Sequence, residues 1–228
     1  MLDSRMPESI KSGAHFLEPM ECLDVTKLPK GPLWSYELKL DGYRMQAISR
    51  AGKVGLRSRR KSSYTLNFPQ IPLALQGLPN GTVLDGELAA LDLHGRPSMS
   101  LLQNHQTTHP PIVYFPFDVL FHLDRNLTRL PLSERRKILR DICPTSDMVI
   151  LSEVIHMDAD GILEFVRENS HEGVVAKRNE SYYEAGRRSG AWRKLRSSLA
   201  DVWRPSGSKP MEASNRCSEL STSIKRGY

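Results

Sequence analysis

WSYELKLDGYRMQAISRAGKVGLR, residues 34–57, carries the signals on which the fold turns. Apolar and polar residues alternate through 34–40, as they do along a strand with one buried face. They alternate again through 44–48 and through 53–57. Asp41-Gly42 separates the first two runs, and Asp-Gly between alternating residues is a strong hairpin signal. The expectation is a meander in which 34–40 pairs with 44–48 across that turn and 53–57 extends the sheet. The centre of the stretch, YELKLDGYR (36–44), also crowds an ammonium, a carboxylate and a guanidinium together at Lys39, Asp41 and Arg44. Taken alone, these residues fit a solvated hairpin and a catalytic loop equally well.

Working outward, TVLDGELAALD (82–92) reads as a strand pair, or as one strand bulged around Asp85-Gly86. IVYFPFDVLF (112–121) is rich in β-branched and aromatic residues, and Pro116 inside it predicts a bulge or a sheet edge. PLSERRKILRDI (131–142) predicts a helix with Ser133 as N-cap and Ile138, Leu139 and Ile142 as its apolar stripe. DADGILEFVREN (158–169) predicts a second helix, with Ile162, Leu163 and Val166 on one face. Short strands follow at 173–176 and 192–195. Antiparallel strand pairs with helices between them predict an α+β fold, mostly antiparallel sheets with flanking helices, and not a doubly wound parallel sheet. Residues 1 to about 30 read as a polar lead-in ending in LPKGP. Residues 197–228 hold eight serines and few β-branched or aromatic residues, which predicts a disordered tail.

Charge narrows the function. The 228-residue chain has 32 Lys and Arg against 26 Asp and Glu, a formal net charge of +6. The basic residues cluster at Arg57, Arg59, Arg60 and Lys61, and again at Arg187, Arg188, Arg193, Lys194 and Arg196. Such clusters suit a polyphosphate or a nucleic-acid backbone. No apolar run reaches the ~20 residues of a membrane span. No secretory h-region opens the chain, so a cytoplasmic protein without a membrane partner is expected. The three cysteines, Cys22, Cys143 and Cys217, form no C-x-x-C pair, which argues against a disulfide framework or a zinc site.

Each further motif has a plain structural explanation. Asp85-Gly86-Glu87 fits a tight turn, Phe115 and Phe117 fit a core, and Lys194 and Arg196 fit a solvated strand face. Their order is harder to explain that way. HFLEPMECL, YELKLDGYR, LRSRRKSSYTLNFP, VLDGELAALD, YFPFDVLF, EGVVAKR and SGAWRKLR follow one another between about His15 and Arg196. On this ordered set the chain resembles the nucleotidyltransferase (adenylation) domain of ATP-dependent DNA ligases, particularly the compact bacterial type. A lone K-x-D-G would be a weak signal. RNA ligases and mRNA capping enzymes belong to the same superfamily and supply the alternative reading, with a non-catalytic nucleic-acid-binding remnant as a third.

The resemblance implies an ATP-grasp-like nucleotidyltransferase fold over 15–196, a lead-in at 1–14 and a tail at 197–228. It implies ATP as substrate, Mg²⁺ or Mn²⁺ as cofactor and nicked double-stranded DNA as partner. Lys39 matches the nucleophile that takes AMP as a phosphoramide, and Glu37 lies where the family contacts adenine. Arg44 and Arg59 match residues that hold the ribose, the phosphate or the nick. Glu87 matches the acid that binds the ribose hydroxyl and assists the metal, Phe117 the aromatic stacked on adenine, and Glu172 the metal-associated acid. Lys194 and Arg196 match the paired cations on the α-phosphate; the second is often Lys in the family, and Arg replaces a point charge by a planar fork. DNA contact is expected from Arg57, Arg60 and Lys61.

The chemistry agrees with these roles. A lysine attacks phosphorus only after losing its proton, and an ordinary lysine is only ~0.1% neutral at pH 7.5. Neighbouring cations and burial favour the neutral amine, so cations such as Arg44 and Lys194 are expected around Lys39. The same cations stabilise charge on the transferred phosphoryl group. An OB-fold normally follows the last block in DNA ligases and clamps the duplex. Its five strands need more than 32 residues. The chain is therefore expected to lack one, and a partner protein supplying a DNA clamp becomes a possibility.

Overall fold

The structure, a computed structural model, describes residues 13–197. The tail expected at 197–228, apart from Ser197, and the first twelve residues of the lead-in lie outside the described residues. Two sheets form. The smaller is ordered β1 (Leu23–Asp24), β9 (Trp192–Arg196), β8 (Gly173–Arg178), β2 (Trp34–Leu38). The larger is ordered β4 (Lys53–Ser58), β3 (Tyr43–Arg50), β5 (Thr82–Ala90), β6 (Ile112–His122), β7 (Arg125–Asn126). Pairing between these strands is antiparallel, apart from the short parallel contact of β1 with β9. Helices α1 (Gln70–Ala74), α2 (Met99–Gln103), α3 (His105–Thr108), α4 (Leu132–Ile142) and α5 (Ala159–Glu168) flank the sheets. The α+β class holds.

The first hairpin does not form. β2 pairs with β8, placing Glu37 opposite Val175, whereas β3 lies between β4 and β5 in the other sheet. Alternation had correctly marked both runs as strands, but it reports which face is buried and not which strand is the partner. Residues 39–42 are therefore a crossing between sheets. A Cβ on Gly42 would lie 2.3 Å from the Leu88 carbonyl oxygen, so the glycine serves a close approach of the chain to β5. Asp41 anchors the crossing by accepting the Met99 N–H at the start of α2 (2.9 Å). The β3–β4 hairpin forms as expected. β5 is one strand whose register with β6 shifts between Asp85 and Gly86, opposite Pro116, which is the anticipated bulge.

Alternation assigns the faces. In the small sheet Tyr36, Val174, Ala176 and Leu195 pack with Ile162, Leu163 and Val166 of α5. Asp158 caps α5 by accepting from the Gly161 N–H. The opposite face presents Glu37, Val175, Lys177, Trp192 and Lys194 to a cavity. In the large sheet Met45, Ala47, Leu84, Leu88, Tyr114 and Val119 form one core with α1, α2 and α4. Its other face carries Arg44, Glu87 and Phe117 to the same cavity.

Two further expectations change, and α4 buries two arginines. Helix α4 has Pro131 as its N-cap, and the Ser133 hydroxyl instead donates to Glu180. Arg135 and Arg136 on that helix are buried, because carboxylates from distant strands meet them. The stretch from Gly13 to Lys30 is no loose lead-in. Ala14 and Met20 are buried, the Ala14 N–H donates to Asp124 (2.7 Å), and β1 joins the small sheet.

Candidate active site

Lys39 stands at the seam between the sheets. Its backbone N–H donates to the Gly173 carbonyl (2.9 Å), tying the crossing to the start of β8. Its ammonium lies 2.5 Å from Glu172 Oε1, with the two side chains 18% and 29% exposed. A carboxylate thus pairs directly with the lysine, while the cations Arg44, Lys177 and Lys194 line the same cavity. Glu172 is held by its neighbour. Gly173 has φ +156°, and a Cβ there would fall 2.2 Å from the Leu195 carbonyl oxygen on β9. Gly173→Ala is expected to lose about 1–3 kcal/mol from overpacking against backbone, read as a lower urea midpoint with an unchanged m-value.

The cavity of about 240 Å³ opens beside Lys39. Glu37, Lys39, Arg44, Arg59, Glu87, Phe117 and Lys194, all singled out in the sequence, line it. Arg196 is exposed and is not among the lining residues, although it shares a strand face with Lys194. Arg57, Arg60 and Lys61 are exposed outside the cavity, and Lys61 lies 3.7 Å from Glu18. Arg44 is committed: its Nε and Nη2 donate to Asp85 Oδ1 (2.7 Å) and Oδ2 (2.6 Å), and Tyr183 Oη also donates to Asp85. Lys194 lies 3.4 Å from Asp24.

Sequence reasoning assigned no role to Lys177, Arg136, Ser152 or Trp192. Glu37 is almost fully buried and accepts from Arg136 through Oε1 and from Lys177 (2.8 Å) and Ser152 (3.0 Å) through Oε2. The Lys177 ammonium sits 4.1 Å from the Phe117 ring centre and 4.6 Å from that of Trp192. Arg44 also covers Phe117, at 4.6 Å. Burial pushes the Lys177 pKa down, Glu37 opposes this, and Arg136 adds to it. Alternation could have flagged Lys177, since it shares a strand face with Val175. Arg136 and Ser152 left no local signal.

Two acids could serve a divalent cation. Glu172 Oε2 is buried without a hydrogen-bond partner among the described residues. Burial pushes the Glu87 carboxyl up to about 8, with Arg44 and Lys39 pulling it down and Asp85 and Glu172 adding to the rise. No cluster of three or more His, Cys, Asp or Glu is present among the described residues. Mg²⁺ uses one or two carboxylates together with substrate phosphates, so these two acids would suffice to hold it.

The Glu87 shift has a defined sign. Between the ordinary carboxylate range and about pH 8 the folded protein keeps a proton that the unfolded chain has released. The folded state binds more protons there, so its stability falls as pH rises through that window. Glu87→Gln is expected to melt with wild type near about pH 4 and several degrees above it near about pH 9. Parallel melting curves across that range would remove the assignment.

A family model of the ATP dependent DNA ligase domain matches residues 19–196, spanning β1 to β9 and every cavity-lining residue named above. The chain belongs to the ATP-dependent DNA ligase domain family. Among curated relatives of this ligase domain, it is 36% identical over 164 residues to the multifunctional non-homologous end joining protein LigD of Mycolicibacterium smegmatis, covering 72% of this chain and 21% of that protein. It is 30% identical over 184 residues to a DNA ligase of Thermococcus fumicolans, covering 74% of this chain and 33% of that one. Among solved structures, a mycobacterial DNA ligase D complexed with ATP superposes with a TM-score of 0.68 at 32% identity, over 79% of this chain and 60% of that chain. The ligase domain of Mycobacterium tuberculosis LigD gives 0.65 at 31%, over 78% and 58%. The chain therefore spans about a fifth of the length of the LigD relatives that it matches.

Proposed function

We propose that this ligase domain takes AMP from ATP onto Lys39 and passes it to the 5′-phosphate of a DNA nick, preparing phosphodiester closure. The supporting observation is Lys39 at the sheet seam, its ammonium on Glu172 and its side chain at a cavity that also holds Glu87, Phe117 and Lys194. In the first step the Lys39 amine, having lost its proton, forms an N–P bond to the α-phosphorus. The bond from that phosphorus to the bridging oxygen breaks, and pyrophosphate leaves with the electron pair. In the second step the N–P bond breaks as a nick 5′-phosphate oxygen attacks, and the lysine regains a proton. The 3′-hydroxyl oxygen then forms a bond to the 5′-phosphorus, the bond from that phosphorus to the bridging oxygen breaks, AMP leaves with the electron pair, and the hydroxyl proton passes to solvent.

The surrounding residues fill supporting roles. Phe117 offers the base whatever ring face Lys177 and Arg44 leave open, and Lys194 meets the α-phosphate. Arg44, oriented by Asp85, has no hydrogen-bond partner on Nη1 among the described residues, which leaves it for ribose or phosphate. Glu172 and Glu87 would hold Mg²⁺ or Mn²⁺, whose charge offsets the triphosphate and competes with Lys39 for Glu172. Arg59 at the cavity rim, with Arg57, Arg60 and Lys61 beyond it, forms the face for the nicked duplex.

The test is to label the protein with α-labelled ATP and Mg²⁺ and then chase with nicked DNA or nicked RNA. Transfer of label to the DNA 5′-end supports the reading, whereas transfer to RNA alone favours an RNA ligase. The basic face makes its own prediction. Arg60→Ala should lower the log–log salt slope of nicked-DNA binding by about 0.9, the share of one phosphate contact. An unchanged slope in a filter-binding titration would take Arg60 out of the interface.

A further inference from the structure

We propose that Arg136 is a positioning residue that fixes Glu37 as an acceptor for a purine 6-amino group, so that the cavity accepts ATP and rejects 6-oxo purine nucleotides. This rests on the nucleotidyl-transfer reading and deepens it. Arg136 lies on α4, which packs on the large sheet, and Glu37 lies on β2 of the small sheet. The contact therefore ties the two walls of the cavity together. Arg136 is 7% exposed and Glu37 2%. The guanidinium is used as a fork: Nη1 donates to Glu37 Oε1, and Nη2 donates to the Ser152 carbonyl (2.6 Å). Ser152 closes the ring by donating its hydroxyl to Glu37 Oε2 (3.0 Å), where Lys177 also donates (2.8 Å).

An ionised carboxylate has about four acceptor sites. Both sites on Oε2 are filled, and Arg136 fills one on Oε1. Among the described residues one acceptor site on Oε1 remains, on a residue that lines the cavity beside Phe117. Adenine presents an amino donor at its 6-position, whereas guanine and hypoxanthine present a carbonyl acceptor. Two acceptors facing one another in a water-poor site repel, so a fixed Glu37 discriminates between these bases. Without Arg136 the carboxylate can turn away from Phe117, and the discrimination goes with it. Lysine cannot replace the fork, because one ammonium does not reach Glu37 and the Ser152 carbonyl in the geometry of a planar guanidinium.

The experiment measures lysyl-nucleotide formation with ATP, GTP and ITP on the wild type, Arg136→Met, Arg136→Lys and Ser152→Ala, with binding of a fluorescent ATP analogue in parallel. Arg136→Met is expected to raise the ATP KM about 30-fold, to change kcat little, and to cut the ATP-to-GTP ratio of kcat/KM about tenfold. Arg136→Lys should fall between Met and wild type. Ser152→Ala, which removes a single bond at a half-buried side chain, should keep the wild-type melting temperature and lower the ratio about threefold. Wild type that prefers ATP, with Arg136→Lys and Ser152→Ala keeping the full preference, overturns this inference alone. Wild type that neither binds the analogue nor forms a lysyl-nucleotide overturns the nucleotidyl-transfer reading and this inference with it.

Discussion

Lys39→Ala protein is expected to take up no acid-labile label from α-labelled ATP, a loss of several orders of magnitude, while remaining folded. The chemistry needs a nitrogen nucleophile at the sheet seam, and alanine supplies none. Lys39→Arg should be equally inactive, because a guanidinium keeps its proton. Stability should change little. The pair with Glu172 is partly exposed, and such pairs contribute about 0–1 kcal/mol. Circular dichroism and a denaturing gel separate the two effects. A labelled Lys39→Ala protein would move the nucleophile elsewhere in the cavity.

Asp118→Ala should produce the largest loss of stability. Asp118 and Arg135 have fully buried side chains and meet through two hydrogen bonds, Nε to Oδ1 at 2.8 Å and Nη2 to Oδ2 at 2.7 Å. Arg135 Nη1 also donates to the carbonyls of Leu130 (2.6 Å) and Ser181 (3.1 Å). Removing the carboxylate leaves a guanidinium buried without its counter-charge, which costs about 3–5 kcal/mol. For a domain of this size that lowers the melting temperature by roughly 10 °C or more. Replacing both residues with apolar ones should recover part of the loss and not all of it, since the carbonyls of Leu130 and Ser181 would then lack their donor. A thermal melt of Asp118→Ala within about 2 °C of wild type would show that the pair contributes little.

The parts of this molecule that were legible in its sequence are those written in local pattern. β2, β3 and β4 were visible as alternation, β8 and β9 as short strands, α5 as a 3.6-residue stripe, and the bulge opposite Pro116 as a proline inside an apolar run. Seven of the expected nucleotide-contacting residues line one cavity: Glu37, Arg44, Glu87, Phe117 and Lys194 from the inner faces of five strands, Lys39 from the crossing between the sheets and Arg59 from the turn after β4. What was not legible depends on partners far away in the chain. The Asp-Gly signal after Lys39 was read as a hairpin, because nothing local reveals that β2 and β3 join different sheets. The burial of Arg135 and Arg136 left no signal in the helix pattern, because Asp118 and Glu37 come from other elements. The pairing of Arg44 with Asp85 was not legible either, because Asp85 lies 41 positions further on and Tyr183, which bonds Asp85, lies 139 further on.

Peptide mapping of the adenylated protein tests the central claim most directly. After incubation with ATP and Mg²⁺, a single AMP adduct should fall on Lys39, cleaved by acid and stable to alkali as a phosphoramide is. An adduct on Lys177 or Lys194, the other two lysines of the cavity, or on an oxygen nucleophile, would contradict the assignment of the sheet seam as the reacting centre.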